Sequence, residues 1–408
     1  MAFAALARQK AHIVAVMSHS PWLATLLTGA LVLPGAPAHA GTVPPISVAP
    51  DHTVGFDGLV YTSVHVGDTV YLGGSFTHAI VDGKAVTRKR LAAVDSRTGR
   101  LLPWAPVLDG TVTGVAGSGS SLYVTGKFRN AGGQPRRGLA AIDLRTGDVG
   151  GLKHTVDGRG QTLTVAGGRL FLGGEFSAVD GRPARNLAAF KLSDGSLDTG
   201  FAGDTDGKVW ALTASGSRLY VGGAFKQING VAGTARLAAL KLADGKVDTG
   251  FKPSTPYTSF ALTVAGDRVF AGLAGVGGRV QAYRPDGGLA WSSVTDGDVQ
   301  AITFLNGTVY GGGHFTVACT KPSATATSWC PGKTLRPQPK IAAWDPATGV
   351  LRDWNPRSNG RWGVLTLKSN PALGTLTVGG DFTAFGGADR PRFAQFRACR
   401  YGCTRRSG

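Results

Sequence analysis

Seven short segments of the sequence resemble Tyr-Val-Gly-Gly-x-Phe, and their recurrence limits what the chain can fold into more than any other feature. The first three intervals between copies are 52, 48 and 49 residues, and the next 90 residues leave room for two shorter units. A repeat of this length predicts a propeller or a solenoid. The copies centre on Phe76, Phe128, Phe176, Phe225, a degraded segment at Phe270, Phe315 and Phe382.

Residues 206–251 show what one repeat contains. Short apolar runs alternate with turns that contain Gly, Asn or Asp, and no run has the length or the period of a helix. The runs lie at 209–212, 218–225, 236–242 and in the segment that ends at Phe251. The pattern therefore predicts four short antiparallel strands in each repeat, joined by hairpins.

The two ends of the repeated region complement each other. The last repeat stops after its third strand, at residues 392–397, and a lone strand-like segment, residues 46–49, precedes the first repeat. A propeller that closes in this way leaves no exposed sheet edge, whereas a solenoid needs polar capping repeats, which the sequence lacks. We therefore predict an all-β protein: a seven-bladed β-propeller of four-stranded antiparallel blades, with the ring closed by the N-terminal strand.

The N-terminal residues have the order of a secretory signal peptide. Arg8 and Lys10 precede an apolar stretch at 22–33, and Ala38-His39-Ala40 supplies small residues for cleavage. The apolar stretch is shorter than the roughly 20 residues that span a membrane. Met17 is an alternative start codon. The predicted domains are a signal peptide (1–40), a β-propeller (41–398) with an insert in the sixth repeat (316–339), and a basic C-terminal tail (399–408).

We accordingly expect a protein that is secreted, either extracellular or loosely associated with the cell wall, with no transmembrane segment after cleavage. An even number of cysteines in an exported chain favours disulfides, and four cysteines allow three connectivities. The preferred pairs are Cys319–Cys330, which would close the insert, and Cys399–Cys403.

The sequence is strongly basic, with 43 Lys and Arg against 25 Asp and Glu, a net charge of +18. The predicted leader holds two of the basic residues and no acidic residue, so the mature chain keeps +16. Such a charge attracts anionic polymers. Because the chain has no recognisable nucleic-acid module, we expect an anionic polysaccharide or cell-wall polymer as partner rather than nucleic acid. Solubility alone is the other explanation.

Several motifs carry a resemblance to a known family. Residues 71–76 read Tyr-Leu-Gly-Gly-Ser-Phe and are followed by Leu-Ala-Ala at 91–93 and by Trp104; residues 220–225 and 379–382 repeat the pattern. Over roughly 50–398 the chain resembles the delta-sixty type of secreted bacterial β-propeller repeat. That resemblance implies a propeller fold and no general activity. The turns also look similar to those of pyrroloquinoline-quinone propellers, but the long loop after Gly-Gly-x-Phe interrupts that pattern, so no cofactor is expected.

Two sets of charged residues are candidates for a binding site on one rim of the propeller. The aspartate ring precedes the first strand of every repeat except the fifth, and the basic ring precedes the third strand of every repeat. The sharper hypothesis is that the carboxylates hold a cation or sugar hydroxyls while the arginines bind an anion. The alternative is that Asp-Gly forms turns and the basic residues pair with those carboxylates. The aspartate ring is Asp57, Asp109, Asp157, Asp206 and Asp296, with Asn359 in the seventh repeat; the basic ring is Arg90, Arg137, Arg185, Arg236, Arg279, Lys340 and Arg392.

The sixth-repeat insert adds Trp329 as a ligand-binding candidate, and the fifth repeat has a short loop in place of the usual long one. Together they predict a lopsided cup on that rim, because long loops often carry specificity. No catalytic residue is assigned. We expect a monomeric, non-catalytic binding or scaffold protein at the cell surface, with calcium as the one metal left open. The alternative is a propeller lyase or hydrolase that acts at the upper face of the central channel.

Overall fold

Short antiparallel strands make up nearly all the regular structure of the computed structural model, which describes residues 46–399. The strands of the first three repeats are β1 (Gly55–Phe56), β2 (Val60–Val66), β3 (Thr69–Gly74), β4 (His78–Val81), β5 (Lys84–Thr87), β6 (Leu91–Asp95), β7 (Thr111–Ser118), β8 (Ser121–Lys127), β9 (Asn130–Ala131), β10 (Gln134–Pro135), β11 (Leu139–Asp143), β12 (Val156–Ala166), β13 (Arg169–Val179), β14 (Arg182–Pro183) and β15 (Leu187–Lys191).

The later repeats continue the pattern, and a single 3-10 turn, η1 (Pro331–Lys333), lies in the insert. Their strands are β16 (Val209–Ser215), β17 (Arg218–Gly223), β18 (Leu237–Lys241), β19 (Ser259–Ala265), β20 (Arg268–Leu273), β21 (Arg279–Tyr283), β22 (Leu289–Val294), β23 (Val299–Leu305), β24 (Thr308–Gly313), β25 (Val317–Cys319), β26 (Leu335–Pro337), β27 (Ile341–Trp344), β28 (Val364–Asn370), β29 (Thr375–Gly380), β30 (Ala384–Phe385), β31 (Ala388–Asp389) and β32 (Phe393–Arg397).

The described strands form seven main sheets, one for each repeat, and small hairpins lie in several of the loops that join the second strand of a sheet to the third. In each main sheet the first strand, which we call the inner strand, pairs with the second, and the second pairs with the third. In chain order the main sheets are β2-β3-β6, β7-β8-β11, β12-β13-β15, β16-β17-β18, β19-β20-β21-β22, β23-β24-β27 and β28-β29-β32.

A complete fourth strand exists only in the fifth main sheet among the described residues, where β22 pairs with β21. Five other sheets have a single bridge at that position, so the four-stranded prediction is met there only by a short contact. These bridges are Val94–Leu101, Ile142–Val149, Phe190–Leu197, Leu240–Val247 and Trp344–Leu351. In the seventh sheet the N-terminal segment takes this place, since Ile46 bridges Ala398 and the Ser47 amide donates to the Arg397 carbonyl at 2.8 Å.

Close packing between neighbouring sheets explains the first glycine of each Gly-Gly pair. A Cβ on Gly73 would come within 2.5 Å of Val112 Cγ1 on the next inner strand, and one on Gly379 would come equally close to Val60 Cγ1 on the first. No larger residue fits such a site without moving the neighbouring sheet. The contact between Gly379 and Val60 therefore joins the last sheet to the first.

The inner strands contact one another in a circular order. Each touches the inner strand of the next repeat, from β2 through β7, β12, β16, β19 and β23 to β28, and β28 touches β2. The phenylalanines of the repeat motif are buried, with at most 4% of each residue exposed. Apolar clusters between successive sheets thus form the core.

The insert of the sixth repeat folds onto the fifth main sheet. Ser323 bridges Ser292 on β22, and the buried guanidinium of Arg279 donates to the carbonyls of Ser328 (2.8 Å) and Thr327 (3.0 Å). The predicted disulfide between Cys319 and Cys330 is present and closes the insert. The insert therefore covers the sheet whose own loop is short, instead of standing beside it as the tall wall of a cup.

Some of the sequence predictions fall outside the described residues. The signal peptide at 1–40, nearly all of the 399–408 tail and Cys403 of the second predicted disulfide belong to this group. Between residues 46 and 399, no helix is long and apolar enough to cross a membrane.

Candidate functional site

The seven inner strands together line one cavity, with a volume of about 500 Å³, which we call the axial cavity. Every inner strand contains a β-bulge at the same place, where one residue is left out of the pairing with the second strand. All seven bulged residues line the axial cavity: Tyr61, Thr113, Gln161, Trp210, Phe260, Gln300 and Leu365.

The bulges separate two kinds of position on each inner strand. The residue just before the bulge is valine in five repeats, because it packs against the neighbouring sheet. The bulged residue itself differs in size and polarity between repeats, and bulges commonly re-aim a side chain next to a site. The repeats therefore differ from one another in the side chains that they place in the axial cavity.

Aromatic and charged groups lie side by side at the axial cavity. Trp210 contacts Phe260 edge-on, with 5.1 Å between ring centroids, and Lys208 Nζ lies 3.6 Å above the Trp210 ring. Trp362, which is 48% exposed, also lines the cavity. Arg159 and Lys368 are the cations of the lining, and Asp298 is its one acid. Flat apolar faces beside cations can bind the ring and the carboxylate of an acidic sugar.

Burial changes the titration of two groups that line the cavity, Lys368 and Asp298, and of His65, which lies outside the lining. Lys368 keeps an accessible side chain but is surrounded by protein, and this desolvation lowers its pKa. Burial, with a further contribution from the Lys368 charge, lowers the pKa of His65 to about 4. Burial raises the pKa of Asp298, although His314 and the Gly275 amide oppose the shift. The unlike environments of these groups are typical of functional sites.

Three polar atoms on cavity-lining side chains have no hydrogen-bond partner among the described residues, although they are buried. They are Arg159 Nε, Gln161 Oε1 and Gln300 Oε1. An unmet hydrogen bond at a buried atom costs about 1–3 kcal/mol. Since folded proteins leave few such atoms unpaired, their grouping around one cavity supports a role in binding.

The aspartate ring lies elsewhere and makes local contacts. Asp57 accepts hydrogen bonds from the amides of Thr77 (2.8 Å) and His78 (3.0 Å), just after the motif phenylalanine. Asp109, Asp206, Asp296 and Asn359 each accept the two equivalent amides in their own repeats. The Asp157 carboxylate accepts a hydrogen bond from Ser177 Oγ at 3.5 Å and from no other described residue. No member of the ring lines the axial cavity in the described structure.

These contacts explain the acidity of the aspartates. Partial burial alone would raise the pKa of Asp57, but hydrogen bonds from Thr77 and His78 outweigh it and hold the pKa at about 2. Hydrogen bonds from Gln227 and Lys226 likewise lower the pKa of Asp206. The carboxylates therefore stabilise the loop that follows each motif. Among the described residues, no group of three or more acidic, His or Cys side chains could hold a metal ion.

The basic ring is not a set of equivalent residues, and the prediction was wrong on this point. The residue before the third strand has positive φ in six repeats, and its amide donates to the motif phenylalanine carbonyl. Gly138 and Asn186 hold this place in repeats two and three, so Arg137 and Arg185 lie one residue earlier. Arg279 lies inside β21. The six equivalent residues are Arg90, Gly138, Asn186, Arg236, Lys340 and Arg392.

Ion pairs between the two rings, which the alternative interpretation required, are absent from the described structure. Arg185 pairs with Asp204 at 2.6 Å, Arg90 donates to the Ser75 carbonyl, and Arg392 lies 3.5 Å from the Phe382 carbonyl. The side chains of Arg137 and Arg236 form no ion pair with a described acid.

Trp329 of the insert is 46% exposed and covers Gly277 of the fifth repeat, where a Cβ would come within 2.9 Å of the indole. It does not line the axial cavity.

The sequence contains a signal for the axial cavity that the Gly-Gly-x-Phe motif does not reveal. The bulged residue differs freely between repeats, from Trp210 to Gln300, whereas the residue before it is valine in five repeats and the residue after it is always Thr, Ala or Gly. Variation at one place in an otherwise regular repeat indicates freedom from a packing role. Two residues before the bulge, only some repeats carry a charged residue, and these residues, Arg159, Lys208 and Asp298, give the same signal.

Comparisons with known proteins agree with this architecture. A family described as a domain of unknown function (DUF5122) beta-propeller matches residues 168–201, which span the second and third strands of the third main sheet. No curated protein matches the chain.

Solved structures give a similar result. The chain is similar to the WD40 beta-propeller domain of Doa1, with 12% identity and a TM-score of 0.57 over 88% of this chain and 98% of that one. It is also similar to the computationally designed Ika8 protein, with 13% identity and a TM-score of 0.50 over 86% and 100% of the two chains. Identities this low show the fold alone.

The fold and these comparisons define the chain as an all-β protein of the β-propeller class. Propellers serve as scaffolds that carry a site on one face or along the axis, and this fold fits a binding role.

Proposed function

We propose that the mature chain is a secreted, closed seven-bladed β-propeller that binds an anionic polysaccharide at the axial cavity without catalysing a reaction. The observation that carries the proposal is the set of seven bulged residues, which place unlike side chains around one axis. Each main sheet is then one blade, and the N-terminal segment completes the seventh.

Contacts between the first and last repeats support ring closure. Beyond Gly379 and Val60, Ser63 Oγ lies 3.2 Å from Thr366 Oγ1 on β28, and Trp354 Nε1 donates to the Ser47 carbonyl at 3.1 Å. The disulfide at Cys319–Cys330 is compatible with secretion.

The chemistry of the cavity supports an acidic sugar as ligand. Arg159 of the cavity lining, and Lys208 above the Trp210 ring, offer hydrogen-bond donors to a carboxylate, while Trp210 offers an apolar face to a sugar ring. Gln161 and Gln300 offer amides to hydroxyl groups. The net positive charge of the chain would draw an anionic polymer towards the site.

Retention on immobilised polygalacturonate as salt is raised tests this proposal, with neutral dextran as the control matrix. The double variant Arg159→Gln/Lys208→Gln should lose at least about five-fold in affinity, the loss of roughly 1 kcal/mol for weakened charged contacts. The matched control Lys241→Gln/Lys246→Gln removes the same charge from the exposed end of β18 and the turn that follows it, and should bind like the unmodified protein. Equal losses in both variants would leave only non-specific attraction and contradict a site in the cavity.

One observation favours the enzyme alternative as a second candidate. Asp298 lines the axial cavity with a raised pKa beside His314, and a carboxyl group of this kind can act as a general acid or base. Incubation with polygalacturonate decides between the two. Formation of shortened or unsaturated products that Asp298→Asn abolishes would support a hydrolase or lyase, and intact polymer would support binding alone.

A further inference from the structure

A pair of aromatic side chains recurs inside the described sheets. A Tyr or Phe of the second strand contacts, edge-on or tilted, an aromatic ring that follows the third strand. Ring centroids lie between 5.0 and 6.0 Å apart in the five pairs Tyr71–Trp104, Phe171–Phe201, Tyr220–Phe251, Phe270–Trp291 and Tyr310–Trp354.

The tryptophans of these pairs also reach the next repeat. Trp104 Nε1 donates to the Asp143 carbonyl at 3.0 Å, and Trp291 Nε1 donates to the Pro346 carbonyl at 3.0 Å. Trp104 lies against Gly147 as well, because a Cβ on that glycine would be 3.5 Å from the indole nitrogen. The indole therefore fills a space bounded by Tyr71, the Asp143 carbonyl and Gly147.

The second repeat lacks this aromatic ring. Trp104 follows the turn glycine Gly99 by five residues, and five residues after the corresponding Gly147 the chain has Leu152. Tyr123, the counterpart of Tyr71, makes no ring contact within the described part of the chain.

A cavity of about 550 Å³ lies where the ring is missing. Its lining includes Tyr123, Lys191 and Gly195, which are the counterparts of the three groups around Trp104, together with Leu152. The Lys191 carbonyl can accept one more hydrogen bond. Its counterpart, the Asp143 carbonyl, accepts both the Gly147 amide and Trp104 Nε1, whereas the Lys191 carbonyl accepts the Gly195 amide and no described side chain. The cavity shares no lining residue with the axial cavity.

Fixed contacts hold the far wall of this second cavity in place. His154 Nδ1 lies 2.6 Å from Asp180 Oδ2, its Nε2 lies 2.7 Å from the Gly195 carbonyl, and its ring packs 4.7 Å from Phe190. The side chain of His154 is only 11% exposed. A wall held in this way gives a pre-formed space, and binding to it costs little ordering of the protein.

We propose that this cavity is a binding site for a small aromatic molecule of the indole class, whose ring packs edge-on against Tyr123 and whose N–H donates to the Lys191 carbonyl. The molecule takes the place that the chain fills with its own tryptophan in the first repeat. The proposal is independent of the function assigned to the axial cavity.

Calorimetric titration of the purified protein with indole tests the site, and 1-methylindole is the matched ligand without the N–H. We expect one indole per chain and binding of 1-methylindole at least about five-fold weaker, since one hydrogen bond contributes roughly 1 kcal/mol. Failure of indole to bind at millimolar concentration, or equal binding of the two ligands, would overturn the proposal.

Two variants locate the site. Leu152→Trp supplies the missing ring and should abolish indole binding, whereas Lys246→Trp adds a tryptophan on an exposed turn and should leave binding unchanged. Trp104→Leu opens the corresponding space in the first repeat and should raise the number of bound indoles from one to two. If Trp104→Leu fails to fold by circular dichroism, Leu152→Trp alone decides, and indole binding that survives in Leu152→Trp would refute the assignment.

Discussion

Gly379 of the seventh repeat lies against Val60 of the first, and a Cβ at position 379 would come within 2.5 Å of Val60 Cγ1. The two residues are 319 positions apart in the sequence, yet they repeat the contact that Gly73 makes with Val112 in the adjacent repeat. The last and first repeats therefore pack as any two neighbours do.

This contact predicts that Gly379→Ala destabilises the protein. The added methyl group has to displace Val60 on the neighbouring sheet, and such overpacking costs about 1–3 kcal/mol. Gly151→Ala is the matched control, because nothing lies within 4 Å of a Cβ at position 151 and its φ is not positive. Urea unfolding should show a lower midpoint for the first variant only. Equal midpoints would mean that the two end repeats are not in contact.

Asp57 predicts an acid-dependent contribution to stability. Its pKa is about 2 in the folded protein against 3.8 for a free side chain, so the unfolded chain binds the proton more tightly. The contribution is complete above pH 4 and is lost as the pH falls towards 2. It amounts to about 1–2 kcal/mol after allowance for solvent screening.

Two substitutions separate the charge of Asp57 from its hydrogen bonds. Asp57→Asn keeps the acceptor oxygen, as Asn359 does in the seventh repeat with amide contacts of 2.8 and 3.1 Å, and should remove the pH-dependent part. Asp57→Ala should be less stable at every pH. Unfolding curves at pH 7 and pH 3 measure both effects, and a wild-type difference between these pH values that Asp57→Asn retains in full would contradict the assignment.

His65 predicts a second pH-dependent contribution to stability, at higher pH than that of Asp57. Burial and the Lys368 charge lower its pKa to about 4, from 6.5 in the unfolded chain. Its contribution to stability is therefore complete above pH 6.5 and is lost as the pH falls towards 4. NMR titration of the imidazole should give a midpoint near 4 and a higher one in Lys368→Met. A wild-type midpoint near 6.5 would place His65 in solvent.

The disulfide predicts that its removal lowers the stability of the protein, mainly around the insert. Cys319 and Cys330 close a loop of eleven residues, and the double variant Cys319→Ser/Cys330→Ser should lose about 2–3 kcal/mol of stability. Because the insert supplies the carbonyl partners of Arg279, the loss should show as faster hydrogen exchange in β21 and β22. Unchanged exchange in those strands would mean that the insert does not support the fifth sheet.

The repeat motif predicted the strands and their order because its glycines and phenylalanine are required by the packing between sheets, and every repeat shares that packing. Gly73 against Val112 is one such contact. The Cys319–Cys330 pair was confirmed for a similar reason, since both cysteines flank a segment foreign to the repeat. The fourth strands were overestimated, because residues such as Leu101 pair through one bridge only.

The candidate site was harder to predict. A bulge adds one residue to a strand, so side-chain alternation does not reveal that Trp210 or Gln300 faces the axis. The basic residues were wrongly predicted to occupy equivalent positions. Arg90 has the positive φ itself, whereas Arg137 and Arg185 each precede the residue that has it, a Gly and an Asn. Whether the aspartate ring, the basic ring or Trp329 binds a ligand stays a prediction.

Hydroxyl-radical footprinting in the presence and absence of polygalacturonate tests the central claim, that the ligand enters the axial cavity, most directly. We predict that oxidation of Trp210, Phe260 and Trp362 falls several-fold when polymer binds, while Trp329 on the insert is unaffected. Protection confined to Trp329 or to the loops of the basic ring would contradict the account.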